Sequence, residues 1–197
     1  MIRALTIAFL LFNASANAAG SMKFYFGPEY ASYLLFQDSL EATGQWQLGG
    51  EVGVENLIPN IGIGLAGSWL RYDAPSGQTS DEFEYIPISI STEFNMLPFF
   101  ANKCAALYLK TGFGLYLWKG IDDDGEVIEL PTGEKMEEKD FGFVGGLSLR
   151  LKLTRNLGVE AVSRYHYVAS ANLDKYGYFD KDDKIWENGF SLKFLFP

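Results

Sequence analysis

The chain has a single histidine, His166, and a single cysteine, Cys104. This composition excludes an internal disulfide, a multi-thiolate metal site and a multi-histidine zinc centre. Acyl transfer by an activated serine would need a serine, a histidine and an acid in contact. The candidates for it are His166 with Ser163 or Ser170, and Glu160. On an extended strand Ser170 would lie about 13 Å from His166, so that pairing needs a bend. The acidic run Asp122-Asp123-Asp124-Gly125-Glu126 resembles a cation loop, but EF-hand spacing asks for acids where Gly120 and Pro131 stand. It reads as a solvated hairpin tip, and Cys104 as a free thiol at a strand end. No catalytic residue, metal or cofactor is expected.

The remaining chemistry lies in charges at every second position: Glu29, Glu51, Glu55, Glu93 and Glu160, with Lys110, Arg150, Lys152, Arg164 and Lys193. Period two requires strands. From Gln45 to Glu55, Trp46, Leu48, Val52 and Val54 share one face, while Gln47, Gly49, Glu51, Gly53 and Glu55 share the other. The same alternation recurs around Ile61–Trp69, Ile86–Phe94, Ala105–Trp118, Phe141–Leu153, Leu157–Tyr167 and Gly189–Phe196. A weaker run from about Met22 to Tyr33 carries Phe24, Phe26 and Tyr30 on its apolar face. The count is eight.

Connections alternate in length. Short turns fall near Leu57–Asn60, Leu97–Lys103 and Thr154–Asn156, and long polar loops near Leu34–Gly44, Asp73–Glu84, Lys119–Lys139 and Ser170–Lys184. Short turns on one side and long loops on the other suit an up-and-down barrel crossing an outer membrane. A strand of about eleven residues, tilted near 40°, rises about 28 Å, enough for an apolar band of about 25 Å. The net charge of −9 argues against a nucleic-acid partner. Arg3, the apolar run Ala4–Phe12 and the small residues of Ala16-Asn17-Ala18 predict a secretory signal peptide over residues 1–18, with the barrel domain over 19–197.

Eight strands also suit a soluble carrier with the faces inverted. Three features put lipid outside. The polar face is rich in glycine, including Gly49, Gly53, Gly62, Gly64, Gly112, Gly114, Gly142 and Gly146, which suits a crowded lumen. Trp46, Trp69, Phe94, Trp118, Tyr165, Tyr167, Phe190 and Phe196 cluster near strand ends, where an interfacial aromatic girdle would lie. The last segment, Phe190-Ser191-Leu192-Lys193-Phe194-Leu195-Phe196, alternates to the end of the chain apart from Pro197.

With these features the sequence resembles small outer-membrane β-barrel proteins of the OmpA/OmpX type. The resemblance implies an all-β, eight-stranded antiparallel transmembrane barrel in the cell outer membrane. It also implies outer-membrane lipid and lipopolysaccharide as surroundings, and recognition of the last strand by the outer-membrane assembly machinery. The charged set above would then form an ion-paired lumen, with Glu29 and Glu51 near Lys110 and Arg164, and with Glu55, Glu93 and Glu160 lower, near Lys152 and Lys193. The expected role is non-enzymatic, structural or adhesive, with loop contacts at residues such as Tyr72, Phe83, Ile121, Val127 and Tyr178. The alternatives are a small-solute pore and an outer-membrane lipid A-modifying hydrolase. The hydrolase motif places serine two residues after histidine, where this chain has Val168.

Overall fold

A computed structural model describes residues 22–37, 40–43, 46–73, 82–96, 104–169 and 182–197. The expected signal peptide, the turn near Leu97–Lys103 and Tyr178 lie outside them. Among the described residues there are ten strands: β1 Lys23–Gln37, β2 Leu40–Thr43, β3 Gln47–Ile58, β4 Ile61–Ser68, β5 Leu70–Asp73, β6 Glu82–Asn95, β7 Ala105–Ile121, β8 Glu137–Lys152, β9 Leu157–Ala169 and β10 Asp182–Phe196. They make eight passes around one wall, because β2 and β3 both pair with β1, and β4 and β5 both pair with β6. Every neighbour is antiparallel, and β10 returns to β1 from Phe24↔Phe196 to Phe36↔Lys184. The molecule is therefore a closed eight-stranded barrel, which leaves no sheet edge.

Alternation sets the two faces. On β8, Phe141, Phe143, Leu147, Leu149 and Leu151 are exposed, while Gly142, Val144, Ser148 and Arg150 are buried. Phe141 is 72% and Leu48 73% exposed, while Arg150 and Lys193 are 0% exposed. Such burial is the reverse of a water-soluble domain and fits lipid outside and polar groups within. The inverted, carrier-like reading is excluded.

The two ends differ. At one end β3 turns into β4 within two residues, Pro59 and Asn60, with Asn60 at φ 66° and Ile58 opposite Ile61. At the same end residues 153–156 join β8 to β9, and Lys23 and Phe196 lie there too. Short turns mark the periplasmic end of such barrels. At the other, outer end the strands continue past the apolar band. The stretch expected as a loop near Leu34–Gly44 is mostly ribbon, with Gln37 opposite Leu40. Likewise β10 starts at Asp182, opposite Ala169.

The connection from β7 to β8 folds back over the outer end. Ile121 bridges Val127 and Glu129 bridges Lys135. Met136 N donates to Ile128 O at 2.8 Å and Gly120 N to Met136 O at 2.9 Å. A Cβ at Gly120 would stand 2.6 Å from the Met136 sulfur, so a larger residue there would have to displace that side chain. Met136 joins Ala31, Tyr33, Leu70, Phe83, Tyr85, Tyr116, Trp118, Val168 and Ile185 in a buried cluster, with Ile128 and Leu130 packed against it. The barrel interior therefore carries an apolar cap above its polar middle.

Candidate functional site

The strands direct their inward positions to one axis, and the charges they carry meet there in two tiers. In the lower tier Glu51 of β3 is the hub. It takes Lys110 Nζ at 2.9 Å, Lys193 Nζ at 2.5 Å and Arg164 Nη2 at 3.2 Å. Lys110 also contacts Glu93 at 2.8 Å and Glu160 at 2.9 Å. Arg150 Nε donates to Glu160 Oε2 at 2.5 Å, and Arg150 Nη1 pairs with Glu55, which also accepts from the Tyr108 hydroxyl at 2.9 Å. The guanidinium lies between two rings, 5.1 Å from Tyr25 and 4.7 Å from Tyr108. Placing a cation over aromatic faces adds attraction where water is absent. The Tyr25 hydroxyl sits 2.9 Å from both Glu51 Oε1 and Glu93 Oε1.

The upper tier centres on Arg164 of β9. It donates to both oxygens of Glu29 at 2.9 Å, a two-pronged pairing suited to guanidinium and carboxylate, and to Glu187 Oε1 at 2.6 Å. His166 Nε2 lies 2.7 Å from Glu187 Oε2, and Nδ1 lies 2.8 Å from the Tyr116 hydroxyl. A void of about 10 Å³ remains beside Glu29, Arg164, His166 and Glu187, the size of one water. Above it, Trp118 Nε1, within the apolar cap, donates to Asp140 Oδ2 at 2.8 Å. Burying charge is tolerated where partners replace water, and each of these side chains has such a partner.

Several residues stand elsewhere than the sequence suggests. Lys152 is exposed at the end of β8, and Glu93 and Glu160 meet Lys110 instead of it. Trp118 is a correction to the girdle: it is 4% exposed and points inward, because it shares the phase of Lys110 and Tyr116. The other girdle positions face outward: Trp46, Trp69, Tyr165, Tyr167, Phe190 and Phe196 are exposed and Phe94 is half-buried. Trp46 stacks on Tyr30 at 5.1 Å. Phe83 and Ile121 are buried, so neither offers a surface contact, while Val127 is half-buried. Cys104 is exposed.

The candidate serine chemistry does not assemble. His166 faces the lumen, whereas Ser163 lies on the outer wall and donates to Asn188 Oδ1 at 2.8 Å. Ser170 lies outside the described residues. No group of three or more His, Cys, Asp or Glu side chains suited to a metal ion occurs among the described residues. Sequence reading put Tyr108 and Tyr116 on the polar face with Lys110 but missed Glu187 and Tyr25 as lumen partners. The signal for Glu187 was its even spacing with Gly189, Ser191 and Lys193, one step before the apolar alternation begins.

Known proteins agree with this architecture. The chain aligns with a crystal structure of neisserial surface protein A over 89% of its length and 99% of that chain, with TM-score 0.64 and 16% identity. A major outer-membrane protein of Thermus thermophilus gives TM-score 0.58 at 12% identity, covering 90% and 100%. Ail, the attachment invasion locus protein of Yersinia pestis, gives 0.53 at 16%, covering 89% and 100%. At these identities the likeness is one of fold. No curated protein sequence matches the chain. The model of the outer membrane protein beta-barrel domain matches residues 4–195. With lipid-facing walls, a closed eight-stranded barrel and that match, the chain belongs to the outer-membrane protein β-barrel domain family and resides in the outer membrane.

Proposed function

We propose that this protein is a non-enzymatic barrel whose lumen is closed to solutes by its ion-paired interior, and which works by presenting its outer end at the cell surface. The observation that carries the reading is Glu51. It is 1% exposed, and cations from β7, β9 and β10 converge on it across the lumen. An eight-stranded interior is just wide enough to be filled by side chains. The apolar cap of Tyr85, Trp118 and Met136 supports closure at a second level.

The outer tip exposes Asp123, Asp124 and Glu126, held by backbone N–H groups of Asp124 and Glu126 donating to Asp122 Oδ1. Ail has been crystallised with a heparin analogue, sucrose octasulfate. An acidic tip on a chain of net charge −9 favours a cationic ligand here over a sulfated one.

The test is single-channel recording on detergent-refolded protein whose folded state is first shown by anomalous migration on an unheated gel. Electrical silence is expected for the folded chain. Discrete conductance steps that change with Lys110→Gln would move the assignment to a solute pore.

A further inference from the structure

The lower tier is one positive charge short. Its carboxyls are Glu51, Glu55, Glu93 and Glu160, and its cations are Lys110, Arg150 and Lys193. Arg164 reaches Glu51, but it is already engaged by Glu29 and Glu187 in the upper tier. An unbalanced charge without water is costly, so the missing positive charge must be supplied.

Geometry singles out one carboxyl. Glu51 has three cation partners, and Glu160 is approached by Lys110, Arg150 and, at 3.9 Å, Lys193. Glu55 is paired with Arg150 and accepts from Tyr108. Glu93 has Lys110 alone, and its Oε2 is buried with no hydrogen-bond partner. Tyr25 adds a second constraint. Its hydroxyl lies 2.9 Å from Glu51 Oε1 and from Glu93 Oε1, yet a phenol has only one hydrogen to donate. Two carboxylates cannot both accept that hydrogen, and two bare carboxylate oxygens beside one hydroxyl repel.

The wall makes space for this meeting. Cβ atoms at Gly53 and Gly64 would stand 2.6 Å from the Tyr25 hydroxyl, and one at Gly64 would also stand 2.6 Å from Glu51 Oε1.

We propose that the lumen binds a proton at Glu93, in a Glu93–Tyr25–Glu51 chain in which the Glu93 acid donates to the Tyr25 oxygen and Tyr25 donates to Glu51. The proton comes from solvent during folding, and the lower tier becomes neutral. The other titratable and charged groups facing it are Tyr108 and Lys110 from β7, Arg150 from β8, Glu160 from β9, Lys193 from β10 and Glu55 from β3. β4 carries no titratable side chain, and a Cβ at its Gly64 would stand 3.3 Å from Glu93 Oε1. Removing the proton leaves Glu51, Glu93 and Glu160 all ionised around the Lys110 ammonium, so this contribution to stability holds at low pH and is lost as pH rises past the point at which the folded site releases it.

The closing experiment counts protons. Wild-type and Glu93→Gln chains are refolded from urea into detergent micelles in weakly buffered, neutral solution containing a pH-indicator dye. Wild type is expected to take up about one proton per chain more than Glu93→Gln, since Gln already carries the neutral state. Equal uptake overturns the proposal. A Glu93→Gln chain that fails to refold also overturns it, because the position would then need a negative charge. Infrared spectra with isotope-labelled glutamate supply an independent reading on the wild type. A protonated-carboxyl band at neutral pH is expected, and its absence is decisive against the site. The inference is separable from lumen closure, for a conducting wild type would end the closed-lumen reading while leaving the proton count untouched.

Discussion

Glu51 and Glu93 are eclipsed by the same lysine, yet removing their charges should have unlike consequences. Glu51→Gln removes the close counter-charge of Lys193, whose other carboxylate, Glu160, stands 3.9 Å away, and breaking such a buried pair costs about 3–5 kcal/mol. The urea midpoint of the folded chain in micelles is expected to fall accordingly, and a midpoint near the wild-type value would show that water reaches the tier. Glu93→Gln should stay close to wild type at neutral pH. At the same scale, Trp118→Phe removes the indole donor to Asp140 and should cost about 1–3 kcal/mol by the same measurement. An outward-facing girdle residue would lose far less. Trp118 also shows where sequence reading stops. Its residue type suggested an interface, while its phase with Lys110 and Tyr116 put it inside, and phase won because a strand cannot turn one side chain against its neighbours. The charged set was legible as a shared face. The grouping of Glu29 and Glu51 with Lys110 and Arg164 was legible from strand height, whereas the partners of Glu55, Glu93 and Glu160 were not, because register around a closed wall depends on pairings between segments far apart in sequence.

The strands themselves were legible where both faces have opposite solvents, as on β8. Their outer ends were not. Beyond the lipid band the outward side needs no apolar residue, so alternation fades while hydrogen bonding continues, as in Lys119↔Glu137 and Gln37↔Leu40. The same effect hid Glu187, which lies on β10 between the expected loop, ending near Lys184, and the expected last strand, starting at Gly189. The β7–β8 connection is an instance with consequences, since its Met136 is fully buried under the cap. Met136→Ala should cost about 2–5 kcal/mol through the cavity it leaves. The loss should appear as faster proteolysis within residues 121–137, with anomalous gel migration retained because the ion-paired tiers lie below. Loss of the folded gel species would mean that cap and lumen fold as one unit.

At the scale of the whole molecule, the inverted faces make a prediction that depends on depth and not on residue type. Phe113 is 63% exposed at the middle of β7, level with Ile90 and Phe143 on neighbouring strands. Leu153 is 59% exposed, just past the periplasmic end of β8. In water both would be unremarkable surface positions, and lysine at either would be nearly neutral or even helpful to solubility. In a bilayer a lysine at the midplane costs about 2–4 kcal/mol, while near the interface it costs about 0–1 kcal/mol. Phe113→Lys should therefore lower the stability of vesicle-refolded protein by the larger amount and Leu153→Lys by the smaller. Equal small losses would contradict a lipid-facing wall at Phe113. Equal large losses would place the periplasmic boundary of the apolar band beyond residue 153, and so lengthen the band that the wall must match.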